Sequence, residues 1–305
     1  MKLPKNVTIK EVAPRDGLQN EKRLVLSDDK ISWINTLSET GLSYIEVSSF
    51  VNPKWIPQLA DASDVLKGIK RNKGVTYAAL VPNIKGLDRA LEAGVDEVSV
   101  FMSASEGHNR SNINKSIKET YPVLEEVVKE AKMAGKTVRG YISTVIACPY
   151  DGYVAPFHVR EVAERLFSMG IDELSLGETI GVGVPNQVEN LLDELLPHFN
   201  ASQLAMHFHD TRGTALANIV KSLEMGITTF DSALGGLGGC PYAKGASGNV
   251  ATEDLLYMLH EMGIETGVDL KSTLKSAQLI ERTLGRSLKS RQMEILRAEG
   301  KERIS

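Results

Sequence analysis

Cysteine is nearly absent from this chain: 305 residues contain only Cys148 and Cys240. So few thiols cannot build a disulfide scaffold, and the expectation is two free thiols in a reducing compartment. No segment approaches 18 uninterrupted apolar residues, which excludes a membrane-spanning helix. Neither sign of charge dominates, since 35 basic residues against 39 acidic ones leave a net charge of −4. That balance speaks against nucleic acid as the main partner, while a small anionic ligand needs only a local basic cluster. The opening Met1-Lys2-Leu3-Pro4-Lys5-Asn6 has neither a secretory apolar core nor an Arg-rich leader, and Arg303-Ile304-Ser305 matches no address tag. A cytoplasmic location is expected.

What is present is the composition of an ordinary globular protein, 42% apolar and 24% charged. Length alone predicts two domains, but an alternating α/β barrel reaches this size as one unit. Eight β-rich apolar runs recur, each followed by helical periodicity: 7–13, 44–50, 75–81, 97–102, 137–146, 173–176, 204–209 and 228–233. Their starts fall roughly 20 to 40 residues apart, the span of a βα unit, so the expected fold is a (β/α)8 TIM barrel, with a doubly wound open sheet as the rival. Ser27 is expected to cap a helix reaching Glu39, Asn83 to precede one ended by Gly94, and a third to run from Lys115 to Ala134. Gly41, Gly94, Gly135, Gly170 and Gly226 then mark helix ends before strands. Additional C-terminal helices are expected over Thr252–Met262 and Leu270–Leu284, followed by a charged, helical or frayed stretch from Gly285. The domain reading is a single barrel over 1–305 with 265–305 as a C-terminal helical extension.

In a barrel of this kind chemistry gathers where strands end, at the C-terminal face. His207-Phe208-His209-Asp210 closes the seventh strand, and residues two apart on a strand share a face, so both imidazoles converge on one point. Asp16 after strand one and Asn249 from the last loop complete a mixed nitrogen and oxygen set suited to Mg²⁺ or Mn²⁺ more than to Zn²⁺. The structural alternatives are hydrogen-bonded rim histidines and, for Asn249, a helix N-cap. Arg15, beside Asp16, reads either as a surface ion pair or as a guanidinium that stabilises a developing enolate oxygen. Glu11 and Glu46 stand inside apolar strands and need a partner, which Arg15 would supply, or they handle protons.

The stretch Gly235 to Gly248 places six glycines around Cys240 and ends at Asn249. A long glycine-rich segment in a compact domain is costly to order, so it reads as a reactive thiol on a movable loop, against the alternative of a turn-rich connection with an inert cysteine. Cys148 lacks such a setting and is expected to be buried and inert. His108 and Arg110 follow strand four and border the mouth; no role is read for His158, His198 or His260.

These residues assemble a pattern that resembles the 3-hydroxy-3-methylglutaryl-CoA lyases, within the metal-dependent barrel superfamily that also holds isopropylmalate and homocitrate synthases. The resemblance runs over almost the whole chain: Glu11 to Glu21, Tyr44 to Val51, Leu176 to Gly183, His207 to Gly213, and the Cys240 loop. The strand-one and His-x-His features belong to the superfamily; Gly17-Leu18-Gln19-Asn20-Glu21 and Gly238-Gly239-Cys240-Pro241-Tyr242-Ala243 are characteristic of the lyases. One departure stands out, Glu178 where the family often has Asp.

The resemblance implies Asp16, His207, His209 and Asn249 as metal ligands, and Arg15, Glu46, His207 and Cys240 as catalytic residues. Arg15, Gln19 and Lys22 are expected at an acyl-CoA substrate, with Lys22, Lys54 and Arg110 as candidates for its phosphates. The implied reaction is metal-assisted retro-Claisen cleavage of 3-hydroxy-3-methylglutaryl-CoA to acetyl-CoA and acetoacetate, Cys240 protonating the enolate carbon. The group that takes the C3 hydroxyl proton stays open between His207, Asp16 and a metal-bound water. Rival readings are a related acyl-CoA lyase or Claisen-type synthase, and a barrel without activity, which is expected to have lost one of these residues. A homo-oligomer, dimer or higher, is expected, with neither nucleic acid nor membrane as partner.

Overall fold

The computed structural model describes residues 3–239 and 248–302, so Cys240 lies outside the described residues. Eight parallel strands close into a barrel: β1 (Thr8–Glu11), β2 (Tyr44–Ser49), β3 (Thr76–Leu80), β4 (Glu97–Ser103), β5 (Thr137–Ser143), β8 (Glu173–Glu178), β9 (Leu204–Phe208) and β10 (Thr229–Ser232). A short antiparallel ribbon, β6 (Ala147–Cys148) with β7 (Gly152–Tyr153), sits between β5 and β8 in the chain. Pairing of β1 with β10 from Thr8↔Thr229 to Glu11↔Ser232, and of β1 with β2, closes the ring and excludes the open sheet.

The outer layer is formed by α1 (Ser27–Leu37), α2 (Ala62–Gly68), α3 (Ile84–Glu92), α4 (Glu106–Ile113), α5 (Ile117–Met133), α6 (Pro156–Met169), α7 (Pro185–Leu195) and α8 (Ala215–Glu224). Three helices follow the last strand: α9 (Thr252–Glu261), α10 (Leu270–Leu284) and α11 (Arg291–Glu302). The additional C-terminal helices are thus present, with α10 packed on α1 and α9 and α11 on α9 and α10. The charged stretch after Gly285 forms a helix because the Asp254 carboxylate accepts the backbone N–H groups of Arg291 and Gln292.

Period-two alternation sorts each strand into two faces. Ile9, Val138, Leu174, Leu176, Met206 and Phe230 are fully buried in the apolar layer shared with the helices. Their neighbours in sequence, Lys10, Arg139, Glu173, Ser175, His207 and Asp231, fill the barrel with polar and charged groups instead. Lys10 meets Glu173 at 2.7 Å, and Arg139 meets Asp231 at 2.7 Å. Burial of ions on this scale is tolerated only because each is paired.

Local details depart from the sequence expectations. Ser27 is not a cap: Leu26 holds that position, and the Ser27 hydroxyl donates to Asp61. The helix expected from Lys115 begins at Ile117, where Ser116 and Glu119 form a reciprocal capping box. The fifth strand stops at Ser143, because Thr144 turns into the left-handed region (φ 62°) and its N–H is taken by the Thr179 hydroxyl. Asn83 does cap α3, accepting the Gly86 N–H.

Candidate active site

After β1 the backbone makes a wide turn over 13–17 in which the N–H groups of Arg15 and Asp16 both fold back on the Val12 carbonyl. That turn delivers both side chains to the C-terminal mouth. Arg15 donates Nε–H to Glu46 Oε2 and Nη1–H to Asp16 Oδ1, each at 2.6 Å, and its guanidinium lies over the Tyr141 ring. Among the described residues Nη2 has no partner. Burial pulls the guanidinium pKa down, but Glu46 and Asp16 outweigh it and push it up. The pair is therefore an interior one, and the reading of Arg15 as a surface charge does not apply.

Asp16 faces His207 and His209. Ligand atoms of the three residues lie within 4.8 Å of one another, and all three are buried. The His207 and His209 rings are 5.4 Å apart, as the His-x-His spacing on one strand face requires. Burial pushes Asp16 up, yet Arg15, the two histidines and the Asn249 amide together hold it down at about 2. Burial and the neighbouring His207 push His209 down to about 4, and its Nδ1 is buried with no hydrogen-bond partner. A carboxylate kept ionised, an imidazole kept neutral and an orphaned buried ring nitrogen fit a divalent cation.

Asn249 reaches the same carboxylate, donating Nδ2–H to Asp16 Oδ2 at 2.8 Å and to the Leu237 carbonyl at 3.0 Å. It is not a helix cap, since Ala251 precedes α9. Its backbone pairs with His209 as a β-bridge. Glycine is needed on both sides of this contact. A Cβ on Gly238 would lie 2.6 Å from Asn249 Nδ2, and one on Gly248 2.3 Å from the Gly236 carbonyl oxygen. The two stems of the glycine-rich segment are thus drawn together at the cluster. Gly239, the last described residue before Cys240, accepts a hydrogen bond from Asn20 and lines the cleft.

The cleft has a volume of about 510 Å³ and a lining of two unlike kinds of residue. Arg15, Asp16, His207 and His209 supply the charged and metal-ligating part of the lining, while Val51, Trp55, Ile56, Phe101 and Ile113 supply apolar surface. Gln19 lines it as well and donates to Asp16 Oδ1 at 2.9 Å. Lys22 and Lys54 stand exposed outside this lining, and Arg110 pairs with Glu106 on α4. His108 borders the cleft, and burial pushes its pKa down to about 4. Cys148 is buried, with its sulfur accepting from Ser105 and from the Tyr150 and Asp151 N–H groups.

Of the two strand glutamates, only Glu46 pairs with Arg15. Glu11 points away from the barrel interior and accepts the Ala13 and Leu234 N–H groups and the Thr252 hydroxyl. Glu178 curls back on its own turn, accepting the Val182 N–H, and does not line the cleft. Sequence reasoning misses Asp231, which accepts from Arg139 and from Ser175 and contacts His207 Nδ1 at 3.1 Å. A signal for it exists in the pattern, since Asp231 shares the inward phase of β10 with Thr229, opposite the buried Phe230.

Comparison with known proteins shows the family to which the chain belongs. The HMGL-like family model matches residues 6–280. The chain is 59% identical to hydroxymethylglutaryl-CoA lyase YngG of Bacillus subtilis, over 98% of this chain and 100% of that one. It is 52% identical to the mitochondrial hydroxymethylglutaryl-CoA lyase of Rattus norvegicus, over 95% of this chain and 89% of that one. The crystal structure of the B. subtilis HMG-CoA lyase superposes with a TM-score of 0.96 at 59% identity, covering 97% of this chain and 100% of that one. An HMG-CoA lyase from Acinetobacter baumannii, in complex with coenzyme A and 3-methylmalate, gives 0.92 at 39% identity over 95% of each chain. A barrel whose mouth brings a carboxylate and two histidines together beside a buried arginine, matched along nearly its full length, belongs to the HMGL-like family.

Proposed function

We propose that this protein is a hydroxymethylglutaryl-CoA lyase, cleaving 3-hydroxy-3-methylglutaryl-CoA to acetyl-CoA and acetoacetate. The observation that carries the reading is Arg15, locked by Glu46 directly beside Asp16, whose carboxylate shares one small volume with His207 and His209. Asp16, His207 and His209, with Asn249 as a fourth ligand, would hold the cation; a donor set of oxygen and imidazole nitrogen without thiolate favours Mg²⁺ or Mn²⁺. When bound, the cation supplies Lewis acidity toward the C3 hydroxyl oxygen.

The residues of the chain do the rest. The C3 hydroxyl proton passes to the Asp16 carboxylate, which stands ionised 4.0 Å from His207 Nε2. The electron pair so released forms the C3 carbonyl of acetoacetate, the C2–C3 bond breaks, and its electrons pass to the thioester as an enolate. Arg15 Nη2, free of other bonds among the described residues, offers N–H groups to that oxyanion. Cys240, next in sequence to Gly239 at the cleft, gives its thiol proton to C2. The apolar lining of the cleft suits the acyl-CoA arm, with Gln19 as a further substrate contact. The relative with bound coenzyme A supports an acyl-CoA ligand.

The same reading places the enzyme in the cytoplasm as a homo-oligomer built from single-domain chains. The deciding experiment is a cleavage assay after metal reconstitution, with 3-hydroxy-3-methylglutaryl-CoA and close analogues. Release of acetoacetate and acetyl-CoA in equal amounts is expected. Preference for another branched 3-hydroxyacyl-CoA, or condensation of acetyl-CoA with a 2-oxo acid, would replace this substrate assignment.

A further inference from the structure

His207 lies in β9 and His209 just past its end, with their rings 5.4 Å apart, yet they are held differently. His209 leaves Nδ1 buried without a partner, whereas His207 Nδ1 lies 3.1 Å from Asp231 Oδ2. Asp231 has no freedom of its own. Its Oδ1 accepts from Arg139 Nη2 at 2.7 Å, and its Oδ2 accepts from Arg139 Nη1 at 3.1 Å and from the Ser175 hydroxyl at 2.7 Å. Arg139 is fixed in turn by Glu173 and by the Tyr141 hydroxyl, to which it donates at 2.7 Å, and the Tyr141 ring meets the His207 ring edge-on. Three strands and an ion pair thus converge on one ring nitrogen outside the metal-facing set.

We propose that Asp231 is the positioning residue that sets the orientation and tautomer of His207, holding Nδ1 as the donor so that the Nε2 lone pair is left for the metal that His207 and Asp16 would share. The reasoning is one of donors and acceptors. A carboxylate that already accepts from Arg139 and Ser175 can only accept again, so Nδ1 must carry the hydrogen. The opposite nitrogen is then bare, and it is the one turned toward Asp16 at 4.0 Å. An outer carboxylate of this kind fixes a metal-binding imidazole and is worth about 10- to 100-fold in metal affinity. Asn at this position inverts the logic. Arg139 donates only, so it claims the amide oxygen, and the NH₂ group then faces His207 Nδ1 and forces the hydrogen onto Nε2.

The inference rests on the metal site of the proposed function but is tested without substrate. In the full-length, metal-free wild type, ¹⁵N NMR of histidine-labelled protein, with His207 assigned through His207→Gln, should show neutral His207 carrying its hydrogen on Nδ1. A hydrogen on Nε2 would overturn the proposal without any folding question. Folded Asp231→Asn should show the Nε2–H tautomer and bind Mn²⁺ at least 10-fold more weakly by calorimetry. Mn²⁺ affinity within twofold of the wild type would overturn it. A wild type that binds Mn²⁺ with the Nδ1–H tautomer but cleaves no 3-hydroxy-3-methylglutaryl-CoA would end the lyase reading and leave this inference standing.

Discussion

Glu46 receives the Arg15 Nε–H at 2.6 Å through Oε2, while its Oε1 is buried with no hydrogen-bond partner. The carboxylate is thus spent on aiming one guanidinium, from a strand position where burial alone would push its pKa up. A lysine at position 15 has no fork with which to bond Glu46, Asp16 and an oxyanion together. Arg15→Lys should therefore lower kcat by about 100-fold or more with little change in KM. Steady-state kinetics decide it: a rise in KM with kcat intact makes Arg15 a binding residue.

His209 offers a neutral imidazole to the cation and has no other bond to lose through Nδ1. His209→Ala should remain folded, with a loss on the order of 1 kcal/mol in stability, and lose most of its Mn²⁺ affinity. Chelation should abolish turnover of the wild type, and Mg²⁺ or Mn²⁺ should restore it. Full activity in excess chelator would remove the metal from the reaction.

Cys240 is separated from an inert loop thiol by acidity. Serine nearly matches its size but is a far weaker acid, so Cys240→Ser should bind metal and substrate nearly as well and lose most of kcat. Alkylation should inactivate the wild type, with substrate protecting, while Cys148→Ser leaves both turnover and alkylation unchanged because that sulfur is buried. Near-normal kcat in Cys240→Ser would pass the protonation step to another group.

Glu11 carries a pH dependence of stability. Burial raises its pKa from the ordinary 4.5 to about 7, against the opposing pull of its hydrogen bonds to Thr252, Ala13 and Leu234. The folded state therefore keeps a proton that the unfolded chain gives up, and the cost grows as pH rises from 4.5 to about 7, reaching at most about 3 kcal/mol. Glu11→Gln keeps an oxygen for the two backbone donors and should lose less stability between pH 5 and pH 8 than the wild type. Urea unfolding at the two pH values measures this, and equal losses in both proteins would refute it.

Periodicity alone makes the barrel legible, because eight apolar runs at βα spacing admit few closed arrangements. The same period of two is enough to put His207 and His209 on one face. The approach of Asp16 and Asn249 to them follows only from the rule that chemistry gathers at strand ends. Which glutamate serves Arg15 is not decidable from sequence, since Glu11 and Glu46 both stand inside apolar runs. Strand register decides it: Lys10 takes the inward position on β1, which turns Glu11 outward to the Thr252 hydroxyl, whereas Tyr44 and Glu46 share the inward face of β2. Asp231 is hidden for the same reason. A single carboxylate in a four-residue strand acquires meaning only when barrel closure brings Arg139, 92 residues away, and His207 against it. Residue pattern sets which face a side chain takes, but the partner it meets there is set by closure and register, which couple strands far apart in the chain.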